Sequence, residues 1–198
     1  MTSWLRTRAL RRRGAAGEVL EQLSQLPTHA HPYYVQPYPY QRVFFGDEWA
    51  DVDENGRGTR DDVLAEHLAD VQLLEDLNVY SGTLTDAYTG ATLEYQRGRD
   101  EEDPVVVDHV ISLWEAWATG AWSWTPAERR LFANDPANLV ATVYSVNKDK
   151  GAKNAARWHP SPTHLERAFV QRVIAVKSKY QLEIHETDRS YLASVLHT

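Results

Sequence analysis

The chain has 198 residues, 42% of them hydrophobic and 25% charged, no cysteine and a formal net charge of −7. This length predicts one globular domain, residues 15–198, after a basic segment, residues 1–14. The ordinary hydrophobic content excludes a disordered or fibrous protein, and the lack of cysteine excludes disulfides, thiol nucleophiles and thiolate metal sites. No apolar run approaches the roughly 18 residues of a membrane span.

Charge is unevenly distributed along the chain. Acidic residues outnumber basic ones 21 to 6 within residues 47–146, whereas basic residues outnumber acidic ones 9 to 5 within residues 147–198. An acidic total argues against a surface coated for nucleic-acid binding, because Lys and Arg carry most of the affinity for phosphate. The basic C-terminal part can still meet a polyanion, although solvated charged faces are the simpler explanation of both regions.

The N-terminal segment also bears on the location of the protein. It is basic up to Arg13, as the start of a secretory signal is, but Gly14–Glu18 follows where the apolar part of such a signal would lie. Together with the absence of cysteine, this predicts a cytoplasmic protein that does not bind membranes.

Helical spacing, β-branched runs and turn residues predict the elements of the first half of the chain. In chain order they are a helix over 15–26, an extended Pro- and Tyr-rich connector over 29–40, a polar loop over 51–59, a helix over Asp61–Asp70 capped by Thr59 or Asp61, and strands over 79–85 and 91–97 joined by a turn over 86–90. The two strands and the turn between them form a β-hairpin.

The second half combines two short strands with helices. The predicted elements are a strand over 104–108, a helix starting within Thr125–Glu128, a strand over 138–144, a helix over 146–153 capped by Ser145, and closing helices over about 163–180 and 186–196. Four tryptophans lie close together between the strands, namely Trp114, Trp117, Trp122 and Trp124. Such a group is typical of a hydrophobic core more often than of a ligand cage.

Two adjacent polar residues end the strand that begins at Val105. Asp108 offers a hard carboxylate oxygen and His109 a base that titrates near neutrality. Such a pair alone is more often a plain turn. Further along, Asn138 opens the next predicted strand and Asn147 lies on the helix after it.

This order of strand, strand and helix resembles the ββα-metal motif of HNH, or His-Me finger, endonucleases. Roughly residues 15–197 are similar to the actinobacterial HNH endonuclease family related to the C-terminal domain of the GmrSD modification-dependent restriction enzymes. The segments that carry this likeness are Gly46–Asp53, Thr59–Leu64, Ser81–Leu84, Asp86–Gly90, Asn134–Leu139 and Ile174–Tyr180. The resemblance implies an α+β fold with a ββα-metal core, an added β-hairpin and surrounding helices. Relatives that look secreted carry cysteines, which this chain lacks.

The chemistry of phosphodiester hydrolysis assigns roles to these residues. It needs an activated water and positive charge where negative charge develops. His109 is the candidate general base, because a neutral imidazole accepts a proton near pH 7. One divalent ion, Mg²⁺ or Mn²⁺, is expected on the scissile phosphate, held by Asp108 and the side-chain carbonyl of Asn147. The resemblance implies that Asn138 braces the loop that orients His109, whereas without it Asn138 is an ordinary turn residue.

Basic residues follow Asn147 on or beside the same predicted helix. Lys150 and Lys153 are expected to share a face with Asn147 and to hold backbone phosphates next to the cut. The complete set of expected nucleic-acid contacts on this segment is Lys148, Lys150, Lys153 and Arg157. A solvated helix face explains these charges equally well.

An acidic stretch before the second predicted helix matches the calcium-loop pattern D-x-[DN]-x-[DN]-G. Its candidate ligands are Asp51, Asp53, Asn55 and, at the twelfth position, Asp62. A polar turn is the simpler explanation, because Asp replaces the preferred Glu at the last position and no helix precedes the loop. Arg60 within this stretch is an alternative phosphate clamp for the active site.

Three functions agree with these observations. The favoured one is a metal-dependent HNH endonuclease that hydrolyses phosphodiester bonds in DNA. The others are a catalytically weak nucleic-acid-binding module of the same fold and a nonspecific or toxin-like nuclease acting on RNA. The presence of Asp108, His109, Asn138 and Asn147 together favours the enzyme, because a degenerate copy would lose the base or a ligand.

Overall fold

The computed structural model of the chain describes residues 17–29, 38–46, 49–99 and 104–197. The basic segment 1–14 and the middle of the predicted connector 29–40 lie outside these ranges. The helices are α1 (17–25), α2 (Thr59–His67), α3 (Leu113–Ala118), α4 (Pro126–Ala133), α5 (Tyr144–Lys150), α6 (Thr163–Tyr180) and α7 (Glu186–His197), and the strands are β1 (Leu68–Leu73), β2 (Val79–Thr85), β3 (Thr92–Gln96), β4 (Val105–His109) and β5 (Leu139–Val143). Helices and small antiparallel sheets together confirm the predicted α+β class.

A three-stranded antiparallel sheet in the order β1-β2-β3 contains the predicted hairpin. Its register runs from Ser81 opposite Gln96 to Thr85 opposite Thr92. The carboxylate of Asp86 accepts hydrogen bonds from backbone amides in the turn, and Gly90 ends the turn with φ 74°. The turn chemistry that predicted the hairpin is therefore what closes it.

Strand β1 differs from the prediction, which extended a helix to Asp70. Helix α2 ends at His67, and Leu68 continues directly into β1, which pairs with β2. This pairing buries Leu68 in the core, and Asp70 adopts φ 52° where the register is irregular. Pairing with a neighbouring strand therefore overrides the local helical pattern.

The second sheet has two antiparallel strands, β4 and β5, with Val105 opposite Val143 and His109 opposite Leu139. Leu139 and Ala141 pack in a hydrophobic cluster with α2 and the larger sheet, whereas Val140 packs in a cluster formed mainly by helices. Alternate residues of a strand point to opposite faces, so this sheet lies between the two clusters.

Helix α5 follows β5 without a loop. It begins at Tyr144 and ends at Lys150, followed by the cap residue Gly151 with φ 51°, so it starts and stops earlier than the predicted 146–153. A glycine in the left-handed region is a common helix terminator. Asn138 ends a 3₁₀ turn, Pro136–Asn138, immediately before β5.

The C-terminal helices confirm the prediction for 163–180 and 186–196. Trp117 and Trp124 belong to the helical cluster, in agreement with a core role. Trp122, in contrast, is 42% exposed, and Trp114 lines a cleft beside β4. Only part of the tryptophan group is therefore core.

Candidate active site

A cleft of about 390 Å³ lies where β4 ends and α5 passes. Asp108 and His109 reach it from the end of β4, and Asn147 reaches it from α5. These are three of the residues that the sequence singled out. Arg42 and Trp114 also line the cleft; the sequence predicted a core position for Trp114 and no role for Arg42.

His109 is held in a defined orientation. Its Nε2 donates a hydrogen bond to the carbonyl oxygen of Ala133 at 2.8 Å, and the ring of Trp49 stacks on it at 5.5 Å between centroids and 12° between planes. Because Nε2 carries the proton, Nδ1 has the free lone pair, and it has no hydrogen-bond partner among the described residues. Burial lowers the pKa of His109 to about 4, so the ring is neutral at pH 7.

Asn138 joins the end of β4 to the start of β5. Its side-chain oxygen accepts a hydrogen bond from the amide of Ile111 at 2.8 Å, and its side-chain nitrogen donates to the carbonyl of Ile111 at 3.1 Å. The backbone carbonyl of Asn138 accepts from the amide of Val110. The residue is completely buried and touches the loop after His109, so it holds this loop and lies away from the cleft.

The segment around Asn138 is in turn fastened to α6. The guanidinium of Arg172 donates to the backbone carbonyls of Pro136, Ala137 and Leu139. These bonds add donors to the carbonyls at the end of the 3₁₀ turn, where Pro136 also accepts from the amide of Leu139. Helix α6 therefore contributes indirectly to the position of His109.

Asp108 is buried beneath the cleft and fully engaged by donors. Its Oδ2 accepts a 2.6 Å hydrogen bond from the hydroxyl of Tyr88, and Lys150 Nζ lies 3.1 Å from Oδ1 and 3.0 Å from Oδ2. Burial raises the pKa of Asp108, while Lys150 and Tyr88 oppose the rise. Because the ammonium lies against both oxygens, the buried carboxylate is charge-balanced within the chain.

The turn after β2 positions the tyrosine of this network. Asp86 accepts from the amide of Tyr88 and also from the hydroxyl of Thr142 and the amide of Val143 on β5. One carboxylate thus fastens the hairpin turn to the second sheet and aims Tyr88 at Asp108. Trp49 and Tyr88 lie in two of the segments that carry the family resemblance, which is the sequence signal that marks them.

The structure corrects the expected role of Lys150. Its side chain is 1% exposed, and Nζ bonds Asp108 and the carbonyl of His109 at 2.8 Å, so it does not lie on a surface that contacts backbone phosphates. Lys153 is exposed but pairs with Asp149 outside the cleft. The helix turns its 150 position inward because β4 ends directly beneath it.

The other expected nucleic-acid contacts also lie outside the lining of the cleft. Lys148 is exposed on α5, where its Nζ lies 5.8 Å from the ring centre of Tyr144. Arg157 is exposed, and Arg60 is half-buried on α2. These three residues remain predicted contacts for parts of a substrate that extend beyond the cleft.

The acidic loop brings its candidate ligands together, but they bond one another. Asp51 accepts from the amides of Asn55 and Gly56, while the Asn55 side-chain nitrogen donates to Asp53 and Asp62. The guanidinium of Arg57 also pairs with Asp62 at 3.0 Å. The loop is thus internally satisfied in this arrangement, and calcium binding stays a prediction.

The oxygen atoms that line the cleft are of the chemical type that binds a divalent ion such as Mg²⁺. Asp108 and Asn147 supply a carboxylate and an amide oxygen to one cleft, and Mg²⁺ needs few protein ligands because it keeps several waters. Within the described ranges, no group of three or more His, Asp and Glu side chains is arranged to hold a metal. The site therefore suits an ion whose shell is completed by water and substrate, in competition with the ammonium of Lys150.

Comparisons with known proteins agree with the resemblance found in the sequence. The family described as "GmrSD restriction endonucleases, C-terminal domain" matches residues 56–195, which include Asp108, His109, Asn138 and Asn147. A protein of Arthroderma benhamiae described as "Uncharacterized secreted protein" is 34% identical over 142 residues, which cover 71% of this chain and 67% of that protein. No solved structure matches the chain significantly.

The prediction of a cytoplasmic protein is wrong by this comparison, because the matching protein is described as secreted. The prediction used the absence of cysteine as an argument against secretion. The described residues build two hydrophobic clusters, so this fold has a core without disulfides, and the absence of cysteine does not indicate the compartment. None of the described helices is long and apolar enough to cross a membrane.

Proposed function

Because the chain belongs to the GmrSD restriction endonuclease C-terminal domain family, we propose that it is a metal-dependent endonuclease that hydrolyses phosphodiester bonds in DNA. The observation that carries this proposal is the state of His109. It lines a cleft with Asp108 and Asn147, and its Nε2–H is fixed by the carbonyl of Ala133. A neutral imidazole with one available nitrogen is the form that a general base requires.

In the proposed mechanism His109 Nδ1 takes a proton from the attacking water. The bond from Nε2 to Ala133 fixes the tautomer, and stacking on Trp49 fixes the plane of the ring. A pKa of about 4 keeps the ring unprotonated at neutral pH, although it also makes His109 a weaker base than an exposed histidine. Orientation, rather than basicity, is therefore the main contribution of the protein at this residue.

The surrounding residues act by positioning. Asn138 holds Ile111, two residues after His109, and the antiparallel pairing of β4 with β5 fixes the backbone before it. Tyr88 and Lys150 hold the carboxylate of Asp108 at the floor of the cleft. This arrangement of two strands and a helix supports the ββα-metal core implied by the resemblance.

A divalent ion, Mg²⁺ or Mn²⁺, would be held by Asp108 and Asn147 and would supply positive charge to the scissile phosphate and the leaving oxygen. Its weak set of protein ligands agrees with an ion that binds firmly only together with substrate. DNA is the proposed substrate because the family is one of restriction endonucleases.

The test is cleavage by the wild-type protein and His109→Ala. We expect His109→Ala to lower cleavage by about 100-fold to 10,000-fold, because general-base catalysis contributes that much. The matched control is His164→Ala, which removes an exposed histidine at the start of α6. The substrates are methylated and unmethylated duplex DNA, single-stranded DNA and RNA, each with Mg²⁺, with Mn²⁺ and with excess EDTA.

Each alternative has its own outcome. Equal cleavage by wild type and His109→Ala, or cleavage that persists in EDTA, would contradict the mechanism. Binding of DNA without cleavage under any metal condition would favour the catalytically weak binding module. Cleavage confined to RNA would replace the proposed substrate with that of the nonspecific or toxin-like alternative.

A further inference from the structure

A phosphodiester in the cleft needs a cation that can reach its oxygens. Lys150, the lysine under the cleft, is 1% exposed and already bonds Asp108 and the carbonyl of His109. The other basic residues that the sequence indicated do not line the cleft. Besides the proposed divalent ion, none of the basic residues that the sequence indicated offers an accessible charge to a phosphate in the cleft.

Arg42 lies where such a group is required. It begins the 3₁₀ turn Arg42–Phe45 and lines the cleft together with His109 and Asn147. Its side chain is exposed, and it forms no ion pair with a carboxylate among the described residues.

The turn that carries Arg42 is rigidly anchored. Phe45 is 1% exposed and packs against Phe132 and Trp117, with ring centroids 6.2 and 6.3 Å apart. The Arg42 Nη1 donates to the carbonyl of Gly46 at 2.9 Å, which uses one of the five N–H donors of the guanidinium. The remaining donors are available, and a planar guanidinium binds two phosphate oxygens at once.

We infer that Arg42 binds the non-bridging oxygens of the substrate phosphate in the cleft beside His109. This inference rests on the proposed phosphodiester hydrolysis and assigns that site a substrate-binding residue. Arg42 supplies the accessible positive charge that Lys150 cannot supply from its buried position. A positively charged donor near the phosphate stabilises the charge that grows on these oxygens during the reaction.

Binding is tested first, in a His109→Ala background with EDTA, so that no cleavage interferes. The probe is a fluorescein-labelled 20-nucleotide single-stranded DNA, followed by fluorescence anisotropy at several salt concentrations. We expect Arg42→Ala to weaken binding about tenfold and to lower the salt slope by about one phosphate contact. The matched control is Arg130→Ala, which removes an exposed arginine close to Gly46 that does not line the cleft.

Catalysis is tested with bis(p-nitrophenyl) phosphate, which has a single phosphate and no flanking ones. Arg42→Ala in the active protein should lower kcat/KM about 10-fold to 100-fold, and Arg42→Lys should recover part of the loss because it restores the charge without the planar fork. Arg130→Ala should match the wild type. If Arg42→Ala proves unstable, Arg42→Gln replaces it and keeps an N–H donor for Gly46.

The outcomes separate this inference from the proposed function. Equal effects of the Arg42 and Arg130 variants on both binding and hydrolysis would overturn the role of Arg42 and leave the nuclease intact. A loss of binding specific to Arg42, in a protein that cleaves no substrate, would support the phosphate contact and refute the nuclease.

Discussion

Within residues 17–29, 38–46, 49–99 and 104–197, two lysine–carboxylate pairs are buried, and they differ in what surrounds them. Lys150 pairs with Asp108 at 3.0 Å, and Lys177 pairs with Glu115 at 2.8 Å; each lysine side chain is 1% exposed. Each ammonium also bonds a backbone carbonyl, that of His109 for Lys150 and that of Glu183 for Lys177. By chemistry and burial alone, the two pairs are equivalent.

Their surroundings separate them. Asp108 lines the cleft and is adjacent to His109, whereas Glu115 lies within the helical cluster and joins α3 to α6. We call Lys150–Asp108 the cleft pair and Lys177–Glu115 the core pair. A buried ion pair is therefore no sign of an active site by itself, and what distinguishes the cleft pair is that it adjoins the cleft of the proposed hydrolysis.

Removing one lysine at a time is the strongest way to test this distinction. Lys150→Met and Lys177→Met should each lower the free energy of unfolding by about 3–5 kcal/mol, because each leaves a buried carboxylate without its partner. Urea denaturation measures this loss. At temperatures where both variants are folded, only Lys150→Met should lose cleavage, because Lys150 also bonds the carbonyl of His109 and so helps to position the proposed base. Equal cleavage by the two folded variants would show that the cleft pair has no special role.

The core pair has a neighbour that gives it a pH dependence. Asp188 is 1% exposed, and burial, followed by the charge of Glu115, raises its pKa to about 6. The amide of Ala156, Lys177 and His185 act in the opposite direction. Between about pH 4 and pH 6 the native state therefore binds a proton that the unfolded state has lost, so stability falls as the pH rises through this window.

Asp188→Asn should remove that dependence. An asparagine oxygen can still accept the 3.0 Å hydrogen bond from the amide of Ala156. We expect the variant to be more stable than the wild type at pH 7 by at most about 3 kcal/mol, and to equal it near pH 4. Denaturation of both proteins from pH 4 to pH 7 measures the difference. An identical pH slope in the two would show that another group titrates.

The sequence predicts the elements of this fold better than the contacts of its site. The hairpin and the two closing helices are confirmed because turn residues and apolar spacing act locally. Strand β1 was missed because its partner, β2, is what makes Leu68–Leu73 a strand. Periodicity within one segment contains no information about such a partner.

The same limit applies to individual side chains. Asp108, His109 and Asn147 are adjacent to predicted strand and helix ends, so their convergence on one cleft follows from the order of the elements. Lys150 was placed on an exposed face because its spacing from Asn147 says nothing about β4 beneath the helix. Arg42 reaches the site through tertiary packing, which no local pattern reports, and Tyr88 was marked only by its place in the resembling segment Asp86–Gly90.

The smallest expected difference between the cleft pair and the core pair is the effect of Mg²⁺ on the melting temperature of their lysine variants. In the wild type the ammonium of Lys150 opposes a second cation at Asp108, so Mg²⁺ alone should hardly change the melting temperature. In Lys150→Met the unpaired carboxylate should bind Mg²⁺, and an ion at ten times its dissociation constant adds about 1.4 kcal/mol, which raises the melting temperature by roughly 3–6 °C. Lys177→Met should show no such rise, because Glu115 is 4% exposed and does not line the cleft that holds Asp108 and Asn147. Adding Asn147→Ala to Lys150→Met should reduce the rise, since it removes the second oxygen ligand. Equal Mg²⁺ shifts in the two lysine variants, with ionic strength matched by NaCl, would mean that the ion acts on the surface and that Asp108 is no ligand.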